Sequence, residues 1–524
     1  MLFVLVVPDD LGHVTPAAFL RIPADAVLAA GLLLIPRWRP RRVVGTVVGT
    51  AAGTALGLLA ILKIFDLGFG GVLARPFDPV HDWSLLGAGL DFVKSSYGTA
   101  GRVGVVVLVV LLAAGMIAVM TLSVRRLAGV ALRHGSAATG AVGVLGALWA
   151  VCALLGAQIV PGVPVATGGA AQLAYDQGHR VYEGLRDRAA FAKEARVDRF
   201  RGVPGDRLLT GLRGKDVVVA FIESYGRSAV EDPEYAPGVG GVLDEGTRRL
   251  RAAGYGSRSA WLTSSTAGGG SWLAHATLLS GLWIDNPRRY SDLVASDRFT
   301  LNAAFHRADW RTVAVMPGIT RAWPEGRFYG FDRVYGASDL GYRGPRFSYA
   351  TMPDQYTLAA FERLERDRRG RAPVMATIPL VSSHAPWASI PSLIDWNAVG
   401  DGSAFNGMGK GYNAAWPSRD KMRGEYRRSI EYSLNALIGY VERHGDENLV
   451  LVFLGDHQPA PLITGAGASH DVPITIVAKD RAVLDRISGW GWQDGLKPAP
   501  DSPVWRMNDF RDRFLTAFGR QDAQ

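Results

Sequence analysis

The chain has 524 residues, 48% hydrophobic and only 20% charged, with a formal net charge of +9. Its length points to two or three domains. Its 14 Trp, 16 Tyr and 20 Phe exclude a disordered chain, and its single cysteine excludes an internal disulfide framework or a cysteine-based zinc cluster.

That average is too apolar for an ordinary soluble enzyme and too charged for a chain that is membrane throughout, so the apolar residues must be concentrated. Met1 to Val7 is apolar, far too short to span a bilayer, and lacks a signal-peptide charge pattern. Residues 17–36, 43–65, 103–122 and 137–160 then predict about four membrane-spanning helices within a transmembrane region 1–161. The first span carries Arg21 and Asp25, which at i,i+4 would pair on a helix with Arg21 reaching outward; its alternative is a reentrant or surface segment. The second is broken only by Lys63 near its end, and the last two carry no charge.

Arginines set the orientation. Arg37, Arg39, Arg41 and Arg42 follow the first span, and Arg125, Arg126 and Arg133 lie between the third and fourth, which predicts both loops to be cytoplasmic. The mixed-sign loop from Asp66 to Arg102 then lies outside, as does everything after about residue 161. The parity closes if the chain begins outside, or if Met1 to Val7 is the remnant of a fifth, upstream span. Residues 1–161 hold twelve Arg and Lys against seven Asp, a net of +5 out of +9. Much of the basicity is therefore a topology signal, and the expected partner is a lipid bilayer, not nucleic acid.

Residues 162–204 predict an amphipathic juxtamembrane linker, with Tyr175, His179, Val181, Tyr182, Leu185, Ala189 and Phe191 alternating with charged residues. From 205 to 524 the composition is globular. Short β-branched runs at 217–222, 312–316, 374–379 and 448–454 alternate with helical stretches, which predicts an α/β domain with a mainly parallel central sheet.

In such folds chemistry collects where strands end. Glu223 follows the first run, as a metal ligand or the neighbour of a helix N-cap. Thr263 to Gly281 contains three glycines and then Ser271, which opens a helix through Leu279. Its hydroxyl is either an N-cap or a nucleophile beside free N–H groups. Asp456 and His457 follow the last run and offer one oxygen and one nitrogen, a pairing that suits zinc or manganese better than calcium. His384 and His470 sit on comparable loops, where a lone histidine is either structural or functional.

Glu223, a hydroxyl, Ser382-Ser383-His384, Gly455-Asp456-His457-Gln458-Pro459 and His470, in this order, resemble the alkaline phosphatase superfamily in its sulfatase-like branch. Within it the chain is similar to the membrane phosphoglycerol transferases of the lipoteichoic-acid-synthase-like type. Tyr329-Gly-Phe-Asp332 also looks like that family's middle region. The resemblance implies that Glu223, Asp456 and His457, and also His470, bind one or two divalent ions (Mn, Zn or Mg). It implies that His384, together with His275, contacts the substrate phosphate. Ser271 matches the nucleophile by its spacing to Gly281, with Thr266 as the runner-up.

Two departures stand out. Ser271-Trp-Leu-Ala-His275 has neither the Pro nor the Arg of a formylglycine motif, and the only cysteine lies in a predicted span, which argues against sulfate-ester hydrolysis by that route. Ala274 stands where the phosphodiesterase branch often has Asn. The implied function is a multi-pass cell-membrane enzyme whose metal-dependent, sulfatase-like domain works outside the cytoplasm. It would move a phospho-headgroup, phosphoglycerol from a phospholipid, through a phospho-serine to an envelope acceptor. The rivals are a phosphodiesterase or sulfuric-ester hydrolase, and a catalytically weak member that binds envelope polymer or lipid.

Overall fold

The computed structural model describes Val6 and residues 16–34, 41–133, 135–161, 163–347, 351–385, 387, 390–408, 418–465 and 467–520. Apart from Val6, the opening Met1 to Val7 lies outside the described residues, as do Arg37 and Arg39. The chain forms two compact units, Met1–Arg188 and Ala189–Gln524.

In the first unit, three helices among the described residues are long and apolar enough to cross a membrane: Thr46–Leu73, Gly98–Ala131 and Ser136–Leu154. The first expected span differs. Its described residues form a 3-10 turn Pro16–Leu20, a two-residue strand Ile22–Pro23 and an 11-residue helix Ala24–Leu34. At 1.5 Å per residue those 11 residues fall short of the roughly 30 Å of a bilayer core. Because Ile22–Pro23 is extended, Arg21 and Asp25 do not share a helical face. Arg21 donates to the Pro164 and Val6 carbonyls, and Asp25 accepts from the Ala26 and Ala171 N–H groups.

The expected outer loop is also largely helical. Trp83–Arg133 runs through it with a break at Gly98, whose φ of 72° glycine adopts freely. Gly53 and Gly57 explain how the first two spans pack. A Cβ on Gly53 would lie 2.5 Å from the Thr121 Cα, and one on Gly57 2.8 Å from the Ile117 Cα, so small residues one turn apart let the backbones touch.

The helix Gly169–Arg196 carries the chain from the first unit into the second. The second unit is built on a nine-stranded sheet. In chain order its strands are β1 (Asp216–Ile222), β2 (Gly256–Thr263), β3 (Arg311–Met316), β4 (Arg333–Gly336), β5 (Val374–Leu380), β6 (Leu449–Gly455), β7 (Asp471–Ala478), β8 (Gln493–Asp494) and β9 (Val504–Arg506). They lie in the order β8-β2-β7-β6-β1-β5-β3-β4, with β9 beside β2. The run β6-β1-β5-β3-β4 is parallel, and β7 reverses the direction.

The central strands are apolar on both faces because both are covered. In β1, Val218, Ala220 and Ile222 join the core with helices Ala236–Ala252 and Arg419–His444, while Val217, Val219 and Phe221 join the core with Ser271–Ser280 and Asp509–Phe518. Each fully buried valine of this kind stabilises the fold by about 1.5–3 kcal/mol. The strand β2 was hidden in the sequence by polar residues such as Arg258 and Ser259. It is legible only through its partners, where Ser259 Oγ meets Thr475 Oγ1 at 2.9 Å.

Register positions the chemistry. Ile222 pairs with Gly455 on β6 and with Leu380 on β5. The residues that follow, Glu223, Asp456 and Val381, therefore leave the sheet at one edge.

Candidate active site

Glu223 is pinned by its backbone before its side chain does anything. Its N–H donates to the Leu380 carbonyl at 3.0 Å, and its own carbonyl accepts from Ser383 Oγ at 2.6 Å. Asp456 is placed by Ser264 Oγ, which donates to its carbonyl, and by the N–H groups of Ser224 and His457, both 2.8 Å from its Oδ1. A carbonyl only accepts, so the 2.8 Å contact of His457 Nδ1 with the Gln458 carbonyl assigns the proton to Nδ1. Nε2 then faces Glu223 Oε1 and Ser271 Oγ, each at 3.2 Å.

Ser271 reaches this cluster because Gly268, Gly269 and Gly270 have φ of 73°, 157° and 80°, which only glycine accepts in succession. They turn the chain into helix Ser271–Ser280. Gly268 N–H ties that turn to the Gln458 carbonyl at 2.7 Å. Ser271, at the first position of the helix, donates its hydroxyl to Glu223 Oε2 at 2.7 Å.

Ligand-capable atoms of Glu223, Asp456 and His457 lie within 4.8 Å of one another, and all three residues are buried. Among the described residues, the ion pairs of the two carboxylates are with His457 and His275. Neither Lys nor Arg offsets them. His275 Nε2 lies 3.7 Å from Asp456 Oδ2, is buried, and has no hydrogen-bond partner. Its ring is held against Phe221 at 4.1 Å. Two buried carboxylates and an imidazole are a donor set that fits a divalent cation, and the orphaned His275 nitrogen beside them is left for a further partner.

The electrostatics follow from this burial. Burial opposes the charge on Glu223, yet the charges of His457 and then His384, with hydrogen bonds from His457 and Ser271, hold its carboxyl well below the ordinary 4.5. Burial likewise opposes a charged His457, but Asp456 and Glu223 push it up to about 9.

The remaining expected residues take varied positions. Thr266 is buried, with an Oγ1 that has no partner, and sits beside Gly270 without a hydrogen bond to the cluster. His384 is half-buried; its Nδ1 meets the Ala385 carbonyl, and its charge acts on Glu223. His470 is half-buried, offers its carbonyl to the Ser264 N–H, and is not among the three converging donors. In the Tyr329 to Asp332 stretch, Asp332 Oδ2 accepts from the Thr312 N–H at the start of β3, a structural contact. Sequence reasoning passed over Ser224, which touches both carboxylates, and Tyr426, whose hydroxyl donates to the Ser224 carbonyl. Ser224 is the residue next to Glu223 in the sequence; nothing marked Tyr426.

The chain matches no family model and no curated protein. Among solved structures it is similar to the lipoteichoic acid synthase LtaP from Listeria monocytogenes, at 14% identity and a TM-score of 0.40 over 60% of this chain and 74% of that one. It is also similar to a protein in the alkaline phosphatase superfamily from Vibrio parahaemolyticus, at 16% and 0.39 over 59% and 68%. A third is the Streptococcus pyogenes phosphoglycerol transferase GacH, at 14% and 0.36 over 63% and 91%. Likenesses of this extent leave the chemistry to be read from the side chains themselves.

Proposed function

We propose that this chain is a membrane-anchored, metal-dependent phosphotransferase working outside the cytoplasm. It moves a phospho-headgroup, phosphoglycerol from a phospholipid, through a phospho-serine at Ser271 to an envelope acceptor. The observation that carries this reading is the Ser271 hydroxyl at a helix N-terminus, 2.7 Å from Glu223 and 3.2 Å from His457 within a buried donor cluster. Helices long and apolar enough to cross a bilayer support a lipid donor.

Glu223, Asp456 and His457 would hold a divalent ion, Mn, Zn or Mg. When bound, such an ion lowers the pKa of a nearby hydroxyl and neutralises an ester oxygen. The residues do the rest. Ser271 Oγ forms a bond to phosphorus while the bond from phosphorus to the diacylglycerol oxygen breaks. The serine proton, already directed at Glu223, ends on the departing alkoxide. An acceptor hydroxyl then attacks the same phosphorus, the Ser271–phosphorus bond breaks, and the acceptor's proton returns to the serine. His384 and His275 hold the non-bridging oxygens, and the free N–H groups of the first helical turn favour the same anion.

The test is incubation of the full chain in detergent with labelled phosphatidylglycerol, phosphatidylethanolamine, and aryl phosphate and sulfate esters. Mass spectrometry would then look for an adduct at Ser271. The expected result is a phosphoglycerol adduct and transfer that stop with Ser271→Ala and with EDTA. Loss of activity in Thr266→Ala but not in Ser271→Ala would move the nucleophile. Full activity after exhaustive chelation would sink the metal mechanism.

A further inference from the structure

Ser224 is the residue on which the two carboxylates of the cluster meet. It is buried, and its φ of 57° places it in the left-handed region that residues other than glycine seldom occupy. That turn is held from three directions. Its N–H donates to Asp456 Oδ1 at 2.8 Å, its Oγ donates to Glu223 Oε1 at 3.0 Å, and its carbonyl accepts from Tyr426 OH at 2.9 Å. The turn also needs a close approach next door. A Cβ on Gly455, which ends β6, would lie 1.8 Å from the Tyr225 carbonyl oxygen, so only glycine lets the chain fold back there.

Glycine would be the unstrained residue at position 224 itself. Serine adds one thing, the hydroxyl on Glu223. An outlier of this kind, over-determined by its surroundings and touching two functional groups, points to a role.

We infer that Ser224 is a positioning residue that clamps Glu223 and Asp456 in one geometry and thereby sets the affinity of the cluster for a divalent cation. The inference rests on the reading of Glu223, Asp456 and His457 as ion ligands. The clamp acts through hydrogen bonds to two carboxylates from strands far apart in the chain, and Tyr426 fixes the peptide that follows Ser224. Outer partners of ligating carboxylates commonly change metal affinity 10- to 100-fold when removed.

The experiment is calorimetric titration of the metal-stripped full chain in detergent with Mn²⁺, and separately with Zn²⁺. The proteins are wild type, Glu223→Gln, Ser224→Ala and Ser224→Gly, with folding of each checked by near-UV circular dichroism. The expected result is binding by wild type, loss in Glu223→Gln, and binding about 10- to 100-fold weaker in both Ser224 variants. Ser224→Gly keeps the left-handed turn without strain, so it decides the matter if Ser224→Ala does not fold. Wild-type affinity in the folded Ser224 variants, with loss in Glu223→Gln, would overturn the clamp and leave the ligand reading standing. Weak binding by Ser224→Ala with wild-type binding by Ser224→Gly would assign the effect to the backbone and also overturn it. Absence of binding by wild type, or undiminished binding by Glu223→Gln, would overturn the ligand reading itself.

Discussion

Strand β1 begins with buried Asp216 and is followed by buried Glu223, and the two carboxylates have opposite surroundings. Asp216 accepts from Arg371 Nη1 and Nη2 at 2.7 and 2.6 Å, from Arg366 Nε at 3.0 Å and from the Val374 N–H at 3.0 Å. Arg366 is in turn shared with Glu362 and Asp446. At the other end, Glu223 and Asp456 have histidines, two serine hydroxyls and backbone N–H groups around them, and no guanidinium among the described residues. One edge of the sheet is electrostatically closed and supports the fold. The other is offset by histidines alone, which leaves two buried carboxylates open to a cation, an arrangement that active sites commonly retain.

The comparison breaks most visibly on activity. Ser271→Ala and Asp456→Asn should each lower turnover by roughly 10³-fold or more, as loss of a member of a concerted site does. Asp216→Asn should leave the turnover of folded protein close to wild type. A steady-state assay with labelled phosphatidylglycerol checks both, and equal losses at the two edges would erase the distinction.

Stability should respond in the reverse sense. Asp216→Ala strands two guanidiniums and should destabilise the second unit by about 3–5 kcal/mol in denaturant unfolding. Asp456→Asn, measured without metal, should change stability by only about 1 kcal/mol. A large loss of metal-free stability in Asp456→Asn would show that the carboxyl edge is structural after all.

Mn²⁺ at a hundred times its dissociation constant should stabilise the wild type by about 2.7 kcal/mol and leave Glu223→Gln unmoved. An equal rise in melting temperature for both proteins would place the ion elsewhere.

The smallest effect is on pH, and its sign differs between Asp216 and His457. Burial opposes the charge of Asp216, but the hydrogen bond from Arg371, the Val374 N–H and the nearby guanidiniums hold its carboxyl below the ordinary 3.8. Its contribution is therefore intact above that value and fades as pH falls through the depressed folded value. His457, pushed up to about 9, contributes fully below its ordinary 6.5, and without metal that contribution is lost as pH rises through about 9. Metal-free unfolding across pH should show an acid limb reduced by Asp216→Asn and an alkaline limb removed by His457→Gln. An alkaline limb that persists in His457→Gln would belong to another group.

Parts of the site were legible because they are local. A buried strand announces itself by apolar residues on both faces, and the residue after it is the one delivered to the edge, which is how Glu223 and Asp456 came into view. The glycine run before Ser271 likewise signals a left-handed entry into a helix. The first expected span was less so. Its apolarity is real, but Ile22–Pro23 is extended, and an apolar stretch does not say where its helix starts. The left-handed turn at Ser224 has no sequence signature, since serine marks neither a positive φ nor a partner.

By itself, the sequence determined where three of the four expected apolar spans run, that an α/β unit follows, and which residue types leave its strands, because hydrophobic periodicity and chain punctuation are properties of neighbours in sequence. Only the tertiary structure decided that Ser224 meets Asp456, 232 positions away, that Ser271 rather than Thr266 hydrogen-bonds Glu223, and that Asp216 pairs with arginines while Glu223 pairs with His457. Those facts depend on the register of β1 against β6 and on the close approach at Gly455. A pairing between distant segments is settled by the packing of the whole unit, not by any stretch of residues within it.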